Sequence, residues 1–391
     1  MRRLLFLACA VVFLDVTFFS VLTPLLPSYE ADHHLSEGSA GVLAGSFAAG
    51  ALVFAIPAGW LVAKIGSRRI VVLGLIGIGT FSPAFGFADD IVLLDLFRFM
   101  QGGAGALMWA GAIAWVVVAA PVERRGEMLG IVIAAAVTGE LLGAPLGALA
   151  HEVGTEVVFS TVLFAAAGLI GLALTIPGAA DVESQPLGEA WRRLRRSDAP
   201  AGVLMLAAPS VAFGLVVVIG PLHMDDLGAS PFLIAAAFAT GSVIEAVVGP
   251  VIGRVSDRVG RTLPYLLGVG AMTAAVVGLG AFGVLPLMFL AVMVLAFGAG
   301  LAFTPASTLV TDHASAAGVN QGYASGAANV AWGGGQVVGA AGGGLLAGAA
   351  GYLLPCLITA ALLVVVGIVA RSLGVGPPVI AEAETGGTDG R

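Results

Sequence analysis

Long apolar segments alternate with short polar loops along almost the whole chain. A helix needs about 20 apolar residues to cross a hydrocarbon core of about 30 Å. Measured against that length, the sequence divides into twelve candidate spans, of which the glycine-rich eleventh is a candidate for a break or kink. The pattern predicts an all-α membrane protein with spans near residues 4–26, 39–63, 70–88, 91–120, 127–150, 156–177, 200–224, 231–254, 263–283, 286–311, 321–349 and 352–373.

A polar stretch divides these spans into two sets of six, and two motifs recur between the sets. Residues 59–69 resemble residues 253–262, which lie 194 positions later, and residues 139–147 resemble residues 335–343, which lie 196 positions later. Two independent motifs at nearly one offset indicate duplication of a six-helix unit, as in alternating-access carriers. The predicted parts are an N-terminal six-helix bundle, a cytoplasmic linker, a C-terminal six-helix bundle and a cytoplasmic tail without fixed structure, at 1–177, 178–199, 200–373 and 374–391.

Charge is scarce and unevenly placed. The 391 residues are 59% hydrophobic and 10% charged, whereas soluble domains carry about 25% charged residues. All of the 17 lysines and arginines except Arg98 fall on the side of the N-terminus, and the opposite loops carry acids instead. By the positive-inside rule, we expect a multi-pass protein of the inner or plasma membrane with both termini in the cytoplasm.

Several classes of site are not expected. Cys9 and Cys356 lie far apart in apolar spans, which argues against a disulfide or a metal site. The sequence has no Gly-Lys-Ser/Thr phosphate loop and no visible nucleophile, base and metal-ligand constellation, so neither an ATP-driven pump nor an enzyme is expected. We expect no cofactor, no metal and no nucleic-acid partner. The expected partners of a monomer are a small-molecule substrate, protons and membrane lipids.

The loop after the eighth span combines a glycine turn, an acid and arginines, at Gly253, Asp257, Arg258, Gly260 and Arg261. It resembles the signature loop of the major facilitator superfamily, and the resemblance covers nearly the whole chain. The resemblance implies two six-helix bundles and a cytoplasmic gate that stabilises the outward-facing state; the alternative is a basic loop that only sets topology. The first-half copy departs from the family pattern, with Ala63 in place of Asp and Lys64 in place of Arg.

Arg98 and Gln101 in span four match the Arg-x-x-Gln-Gly motif of that family. Arg98 lies about 10 Å inside the span at 1.5 Å per residue, where an unpaired charge is unfavourable by a few kcal/mol or more. The resemblance implies a role in proton coupling. The alternative is a local structural pair with Asp95, one helical turn earlier.

Span five carries small residues and a proline at Gly139, Gly143, Pro145 and Gly147. The segment is similar to the antiporter motif of the same family, which favours export by antiport over uptake by symport. Physically, the glycines permit close helix contact and the proline removes a backbone hydrogen bond. The alternative is helix packing without a transport role.

Three acids, Asp15, Glu140 and Glu245, fall near the middle of their spans, and desolvation there favours the protonated form of a lone carboxyl group. We expect them in a water-reachable chamber between the bundles, where a proton and a cation compete for them; the alternative is a permanently neutral, hydrogen-bonded acid. Asp15, followed by prolines, resembles span one of vesicular amine transporters and bacterial drug:proton antiporters. Candidate cavity residues, each of which could instead be a packing residue, are Trp109, Trp115, Asn329, Trp332 and Gln336.

The sequence is identified as a member of the drug:proton antiporter type of this superfamily. The resemblance and the central acids together predict a proton-coupled antiporter that exports small, lipophilic, cationic compounds. A proton symporter or uniporter for a small metabolite is the second transport hypothesis. A non-transporting sensor or scaffold on a carrier fold is the alternative of another class.

Overall fold

The computed structural model describes residues 1–121, 124–178, 186–319 and 321–372. Within these ranges, eleven helices are long and apolar enough to cross a membrane. A twelfth crossing is divided into two shorter helices by a π-helical turn at Val338–Gly342. The predicted all-α fold of twelve membrane-crossing segments is therefore confirmed, and the predicted irregularity of the eleventh segment is found at this turn. Residues 179–185 of the predicted linker and the predicted tail at 374–391 lie outside the described residues.

Within the described residues, the first bundle is built from seven helices, because the first crossing is divided at Val21. Pro24 has no N–H to donate to the carbonyl of Ser20, one turn earlier, which weakens the helix at this point. The helices are α1 (Arg2–Ser20), α2 (Leu22–Asp32), α3 (Glu37–Ile65), α4 (Ser67–Gly86), α5 (Ile91–Ala119), α6 (Arg125–Val153) and α7 (Thr155–Thr175).

The second bundle follows a short basic helix, α8 (Leu187–Arg196). The π-helical turn sits in a run of glycines, whose missing side chains allow close contact with a neighbouring helix there. The remaining helices are α9 (Ala199–Asp226), α10 (Pro231–Val259), α11 (Thr262–Ala281), α12 (Leu285–Ala316), α13 (Gln321–Val337), α14 (Gly343–Ala350) and α15 (Leu353–Ser372).

Local sequence signals set several helix ends. The hydroxyl of Ser36 accepts from the backbone N–H of Ser39 at the start of α3, and Asp90 accepts from two backbone N–H groups at the start of α5. Such residues satisfy backbone groups that a helix terminus leaves unpaired. Gly66 and Gly260 follow α3 and α10 with φ angles of +87° and +85°, which favour glycine. These two glycines hold equivalent places in the sequence repeat.

Helix packing follows the same repeat. In the first bundle α1 packs against α6, α5 against both α3 and α4, and α4 against α7. In the second bundle the equivalent neighbours are α9 with α13, α12 with both α10 and α11, and α11 with α15. The bundles meet where α6 packs against α10 and where α3 packs against α13 and α14. These two seams are equivalent under the repeat, so the molecule has approximate twofold symmetry.

Large apolar side chains remain exposed around the outside of both bundles. Such a belt suits contact with lipid tails, because soluble proteins rarely expose large contiguous apolar surface. Side chains that are at least 60% exposed include Phe6, Phe164, Leu174, Leu345 and Ile368. Below, the end of the molecule that carries Arg2, Lys64 and Arg124 is called the basic end, and the end that carries Asp32, Asp89 and Asp225 is called the acidic end.

Candidate functional site

The carboxyl group of Asp15 lies inside the first bundle, between α1 and α5. Its Oδ2 accepts a hydrogen bond from Nε1 of Trp109 at 2.9 Å, and its Oδ1 has no hydrogen-bond partner among the described residues. Gly105, one turn before Trp109, leaves room for the carboxyl group, because a Cβ atom there would overlap Oδ1. Asp15 is only 4% exposed. The expectation that it faces a water-reachable chamber between the bundles is therefore wrong for this conformation.

Arg98 is buried next to Asp15 and binds the backbone of α1. Its Nη1 donates to the carbonyl of Phe18 at 2.8 Å and to Oε1 of Gln101 at 2.9 Å, and its Nη2 donates to the carbonyl of Phe19 at 2.6 Å. The guanidinium also lies 4.8 Å from the ring centroid of Phe47, a distance at which cation–π attraction acts. Arg98 and Gln101 of α5 are thus hydrogen-bonded to each other, and Arg98 also joins α5 to α1.

The alternative partner of Arg98, Asp95, is not used. Oδ1 of Asp95 instead lies 3.5 Å from the hydroxyl of Ser46 on α3. The local-pair alternative is therefore wrong, because the guanidinium is directed at the division between α1 and α2. Two backbone carbonyls of α1 accept from the guanidinium in place of the carboxylate on α5.

The glycines of the antiporter-like motif form the contact surface of α6 with α1. A Cβ atom on Gly139 would lie 2.6 Å from the carbonyl oxygen of Phe13, and one on Gly143 would lie 2.5 Å from that of Thr17. Gly147 approaches the carbonyl of Val21 more closely still. Pro145 is exposed, and α6 continues through it without interruption. The motif therefore brings the backbones of two helices together beside Asp15 and Arg98.

Glu140 and Glu245 meet across the seam between the bundles. Glu140 belongs to α6 and Glu245 to α10, and the charge of Glu140 acts on the carboxyl group of Glu245. The hydroxyl of Ser242, on the same face of α10 as Glu245, is a hydrogen-bond partner of the Glu140 carboxyl group. Both acids are partly exposed. Among the described residues, neither carboxyl group has a basic side chain within ion-pair distance.

The candidate cavity residues separate into different environments. Trp332 on α13 packs against Phe19 of the first bundle, with ring centroids 5.9 Å apart, so it lies at the junction of the bundles. Trp115 is 1% exposed within the apolar core, and its assignment to a cavity is wrong. Asn329 is exposed on α13, whereas Gln336 is buried and its Nε2 has no hydrogen-bond partner among the described residues.

The loop between α10 and α11 forms an ion pair within the second bundle. Nη2 of Arg261 lies 2.6 Å from Oδ2 of Asp312 near the end of α12. Gly253 packs near Thr304 of α12, which brings these helices together. The side chains of Asp257 and Arg258 lie outside the described part of the chain. The acid that pairs with Arg261 is therefore Asp312, which the sequence motif did not include.

The equivalent loop of the first bundle has different contacts. Nζ of Lys64 lies 4.7 Å from the ring centroid of Trp60 on its own helix. Nη1 of Arg68 is directed at the carbonyl of Ile176 at 3.4 Å. This loop has Ala63 where the signature loop has an aspartate, and its basic residues Lys64 and Arg68 contact a ring and a backbone carbonyl instead.

The closest approaches between the bundles lie toward the acidic end. A Cβ atom on Gly41 of α3 would stand 2.5 Å from the carbonyl oxygen of Ala340, and Gly344 is similarly close to the carbonyl of Glu37. Toward the same end, Ala144 and Ala148 of α6 are buried with Ala235 of α10 in a small apolar cluster. The half of the interface nearer the acidic end is therefore closely packed.

Four partners at the site were missed from the sequence: the carbonyls of Phe18 and Phe19, the hydroxyl of Ser242 and the carboxylate of Asp312. Backbone carbonyls leave no residue-type signal. Ser242 could have been found, because it lies one turn before Glu245 on the same helix face. Asp312 carries a weaker signal, as an acid at a helix end surrounded by basic loops.

Comparison with known proteins places these features in a family. The sequence profile of the Major Facilitator Superfamily matches residues 8–329 and 210–389. An inward-facing, unoccupied bacterial homolog of the human lysosomal transporter Spinster superposes with a TM-score of 0.74 at 15% identity, covering 95% of this chain and 97% of that one. At this identity the superposition shows the fold alone.

Curated relatives match over part of their length. An MFS-type transporter, ppzB, of Metarhizium rileyi is 29% identical over 36% of this chain and 30% of its own length. Multidrug resistance protein 1 of Bacillus subtilis is 27% identical over 42% of each chain. The quinolone resistance protein NorA of Staphylococcus aureus is 24% identical over 41% of each. Each match thus spans less than half of the relative.

Proposed function

Because this chain belongs to the major facilitator superfamily, we propose that it is a proton-coupled antiporter that exports small lipophilic cations by alternating access. The observation that carries the proposal is the arrangement of its interior carboxyl groups. Asp15, Glu140 and Glu245 have no basic side chain within ion-pair distance among the described residues. Two of them come from opposite bundles, so their separation must change when the bundles move.

Competition between a proton and a cation follows from this arrangement. An isolated carboxylate in a low-dielectric interior is unfavourable, and it is neutralised either by a proton or by a cationic substrate. A proton that moves inward across about 100 mV releases about 2.3 kcal/mol, and each pH unit contributes about 1.4 kcal/mol. If the two ligands exclude each other at the same carboxyl groups, this energy can drive export of the cation.

Arg98 and Gln101 position the proton-binding group in this proposal. Arg98 connects α5 to the divided part of α1, and Asp15 stands one turn before the carbonyls that Arg98 binds. Protonation of Asp15 would remove its attraction for the buried guanidinium and thereby alter the hold of α5 on α1. Trp109 limits access to the carboxyl group. Asp15, Glu140 and Glu245 are proposed to bind protons, and the substrate is proposed to compete at Glu140 and Glu245, where the bundles meet. Trp332 and Asn329 are proposed to border the chamber.

Charge placement supports the membrane orientation. Basic residues crowd one end, and with that end in the cytoplasm the closely packed half of the bundle interface near the acidic end faces outward. In this orientation the conformation faces inward, and both termini are cytoplasmic. The loop from Gly253 to Arg261 is then proposed to act as the cytoplasmic gate, with the Arg261–Asp312 pair holding the ends of α11 and α12 together.

The partial relatives support export more than uptake. Their printed names include multidrug resistance, quinolone resistance and, for a Streptomyces glaucescens protein, tetracenomycin C resistance and export. Arg98 is the only basic residue buried at the depth of these acids within the described spans, which disfavours an anionic substrate. Extension of these activities to the present chain is part of the proposal.

Everted membrane vesicles provide the direct test. With an acidic interior established by respiration, addition of a lipophilic cation such as ethidium should release protons from vesicles that contain the chain. The single variants Asp15→Asn, Glu140→Gln and Glu245→Gln should each lower this release without removing the protein from the membrane. An exposed carboxyl variant, Glu152→Gln, is the matched control and should behave as the parent.

The outcomes distinguish the alternatives. In the same vesicles a symporter would carry loaded substrate outward together with protons, and addition of external substrate would release no protons. A uniporter would be unaffected by collapse of the gradient. If none of the three interior variants changes proton-linked flux, the coupling proposal is wrong. If no cation in a broad panel produces flux or resistance, the sensor or scaffold alternative is favoured.

A further inference from the structure

A cleft of about 430 Å³ lies at the basic end of the second bundle, between the linker helix α8 and the end of α12. It is separate from the carboxyl groups discussed above and has a different charge. Its described lining is formed by Arg193, Arg196, Ser197, Asp198, His313, Ala316 and Ala317. The lining thus contains two guanidinium groups, one carboxylate, one hydroxyl and one imidazole.

The helix that forms one wall of the cleft is fixed to the second bundle. Ala190 and Leu194 are buried in a small apolar cluster with Ala314 of α12. Nη1 of Arg193 donates to the carbonyl of Gly318 at 3.2 Å, and its Nη2 pairs with Glu189 at 2.5 Å. Arg193 therefore has a structural role in attaching α8, and its charge is partly balanced.

Two groups in the cleft have unsatisfied binding capacity. Arg196 is exposed and makes no ion pair among the described residues. Nδ1 of His313 is buried and has no hydrogen-bond partner in the described chain. A buried imidazole nitrogen usually has a partner, and a guanidinium beside it favours an oxygen ligand with negative charge. Asp198 offsets one positive charge, which favours a singly charged ligand.

The position of the cleft indicates where such a ligand comes from. The linker joins the ends of two membrane-crossing helices, α7 and α9, so α8 lies at the bilayer surface. Trp191 is 54% exposed on this helix, as is common for tryptophan at a membrane interface. Arg192 and Arg195 are exposed beside it and add to the attraction for an anionic leaflet.

We propose that the cleft between α8 and α12 binds the phosphate group of an anionic membrane phospholipid. Arg196 contacts a phosphate oxygen, and the imidazole of His313, which lines the same cleft, borders the phosphate group. The bound lipid holds the linker helix against the second bundle. The shared chemistry is that of a phosphate anion, which could also be supplied by free phosphate in solution.

Binding of short-chain lipids to the purified full-length chain tests the proposal. Native mass spectrometry in neutral detergent would compare dioctanoyl phosphatidylglycerol, dioctanoyl phosphatidylcholine and inorganic phosphate. Phosphatidylglycerol should bind with a discrete stoichiometry of one, and phosphatidylcholine should bind more weakly. Arg196→Gln should weaken the phosphatidylglycerol complex by about tenfold or more, because it removes a charge-assisted hydrogen bond.

Arg192→Gln provides the matched control, because Arg192 is an exposed arginine of the same helix outside the cleft lining. At about 0.15 M salt its removal should have little effect on a screened surface charge. His313→Ala should weaken binding as Arg196→Gln does, with the folded state checked by thermal unfolding. Equal losses in Arg196→Gln and Arg192→Gln, or equal binding of both lipids, would overturn the proposal. Equal occupancy by inorganic phosphate would assign the site to free phosphate.

Discussion

The two bundles repeat one packing arrangement but differ sharply in interior charge. Gly143 of α6 approaches the carbonyl of Thr17, and Gly339 approaches the carbonyl of Val211 in the same manner. Beside these helix contacts the first bundle has Asp15, Arg98 and Glu140. In the second bundle, the position equivalent to Glu140 holds Gln336. The comparison teaches that the two halves share their helix packing but not their interior chemistry. Close helix contact is needed in both halves, but ionisable groups are concentrated in one.

The interior carboxyl groups also differ in their relation to the moving parts. Asp15 is enclosed within one bundle and reaches Arg98 and Trp109 without crossing the seam. Glu140 and Glu245 meet only because the bundles meet. A change in bundle orientation must therefore change the distance between Glu140 and Glu245 directly, and it can affect Asp15 only through α1. This difference assigns different proposed tasks to the two groups, one sensing protonation within a bundle and the other sensing the position of the bundles.

The largest effect is expected from changes to the close helix contact that both bundles have. Gly143→Leu and Gly339→Leu should each prevent accumulation of folded protein, because the added side chain would meet the backbone of a neighbouring helix. Overpacking of this kind destabilises by about 3 kcal/mol or more when backbone must move. The measurement is the yield of monodisperse protein from detergent. Gly130→Leu, with open space beside it, should accumulate normally. If only one of Gly143→Leu and Gly339→Leu were tolerated, the packing of the two bundles would not be equivalent.

Substitution of Arg98 should have the next largest effect. It tests the first bundle, which carries Asp15, Arg98 and Glu140. Lysine carries a compact charge and cannot reproduce the planar set of bonds to Phe18, Phe19 and Gln101. Loss of one charge-assisted hydrogen bond removes about 1.5–3 kcal/mol, so Arg98→Lys should lower proton-linked flux by about tenfold or more. Flux would be measured in everted vesicles and divided by the amount of folded protein.

Arg69→Lys is the matched control for Arg98→Lys, because Arg69 is an exposed arginine of the same bundle. It should retain the parental flux. Unchanged flux in Arg98→Lys would show that a point charge is sufficient, and the role assigned to the α1 carbonyls would then be wrong.

The parts of this arrangement that the sequence could predict are those encoded by composition and spacing. Apolar length determines the crossings, and glycines four positions apart determine the faces that pack closely, as at Gly139 and Gly143. Both signals are local in the chain. They predicted the all-α fold and the repeat, and they located Arg98 within a span.

The contacts of Arg98 could not be predicted in the same way. Asp95 was the nearest acid along the chain, but the guanidinium binds two carbonyls on α1 instead. Every residue has a carbonyl, so only the division of α1 and the direction of α5 select these two. The pairing of Arg261 with Asp312 has the same origin, because the two residues are brought together by tertiary packing and not by a motif.

A smaller effect, on stability, is expected from substitutions at the equivalent loops that follow α3 and α10. Arg261→Gln should destabilise the protein by about 1 kcal/mol, because it breaks a partly exposed ion pair with Asp312. Lys64→Gln in the first half should have less effect, about 0.5 kcal/mol, because an exposed cation–π contact contributes little. Thermal unfolding in detergent would measure both. The double variant Arg261→Gln with Asp312→Asn should be less destabilised than the sum of its parts; strict additivity would contradict the pairing.

The smallest effect separates Gln336 from its counterpart Glu140. Nε2 of Gln336 is buried and has no hydrogen-bond partner among the described residues, so replacement by an apolar side chain of similar volume removes an unsatisfied group. Gln336→Met should therefore leave stability unchanged or increase it by about 1 kcal/mol, and flux should remain close to that of the parent. Glu140→Met should instead abolish proton-linked flux while the protein still folds. Loss of transport in Gln336→Met with retention in Glu140→Met would contradict the proposal that the ionisable side chain, and not its neutral counterpart, is required.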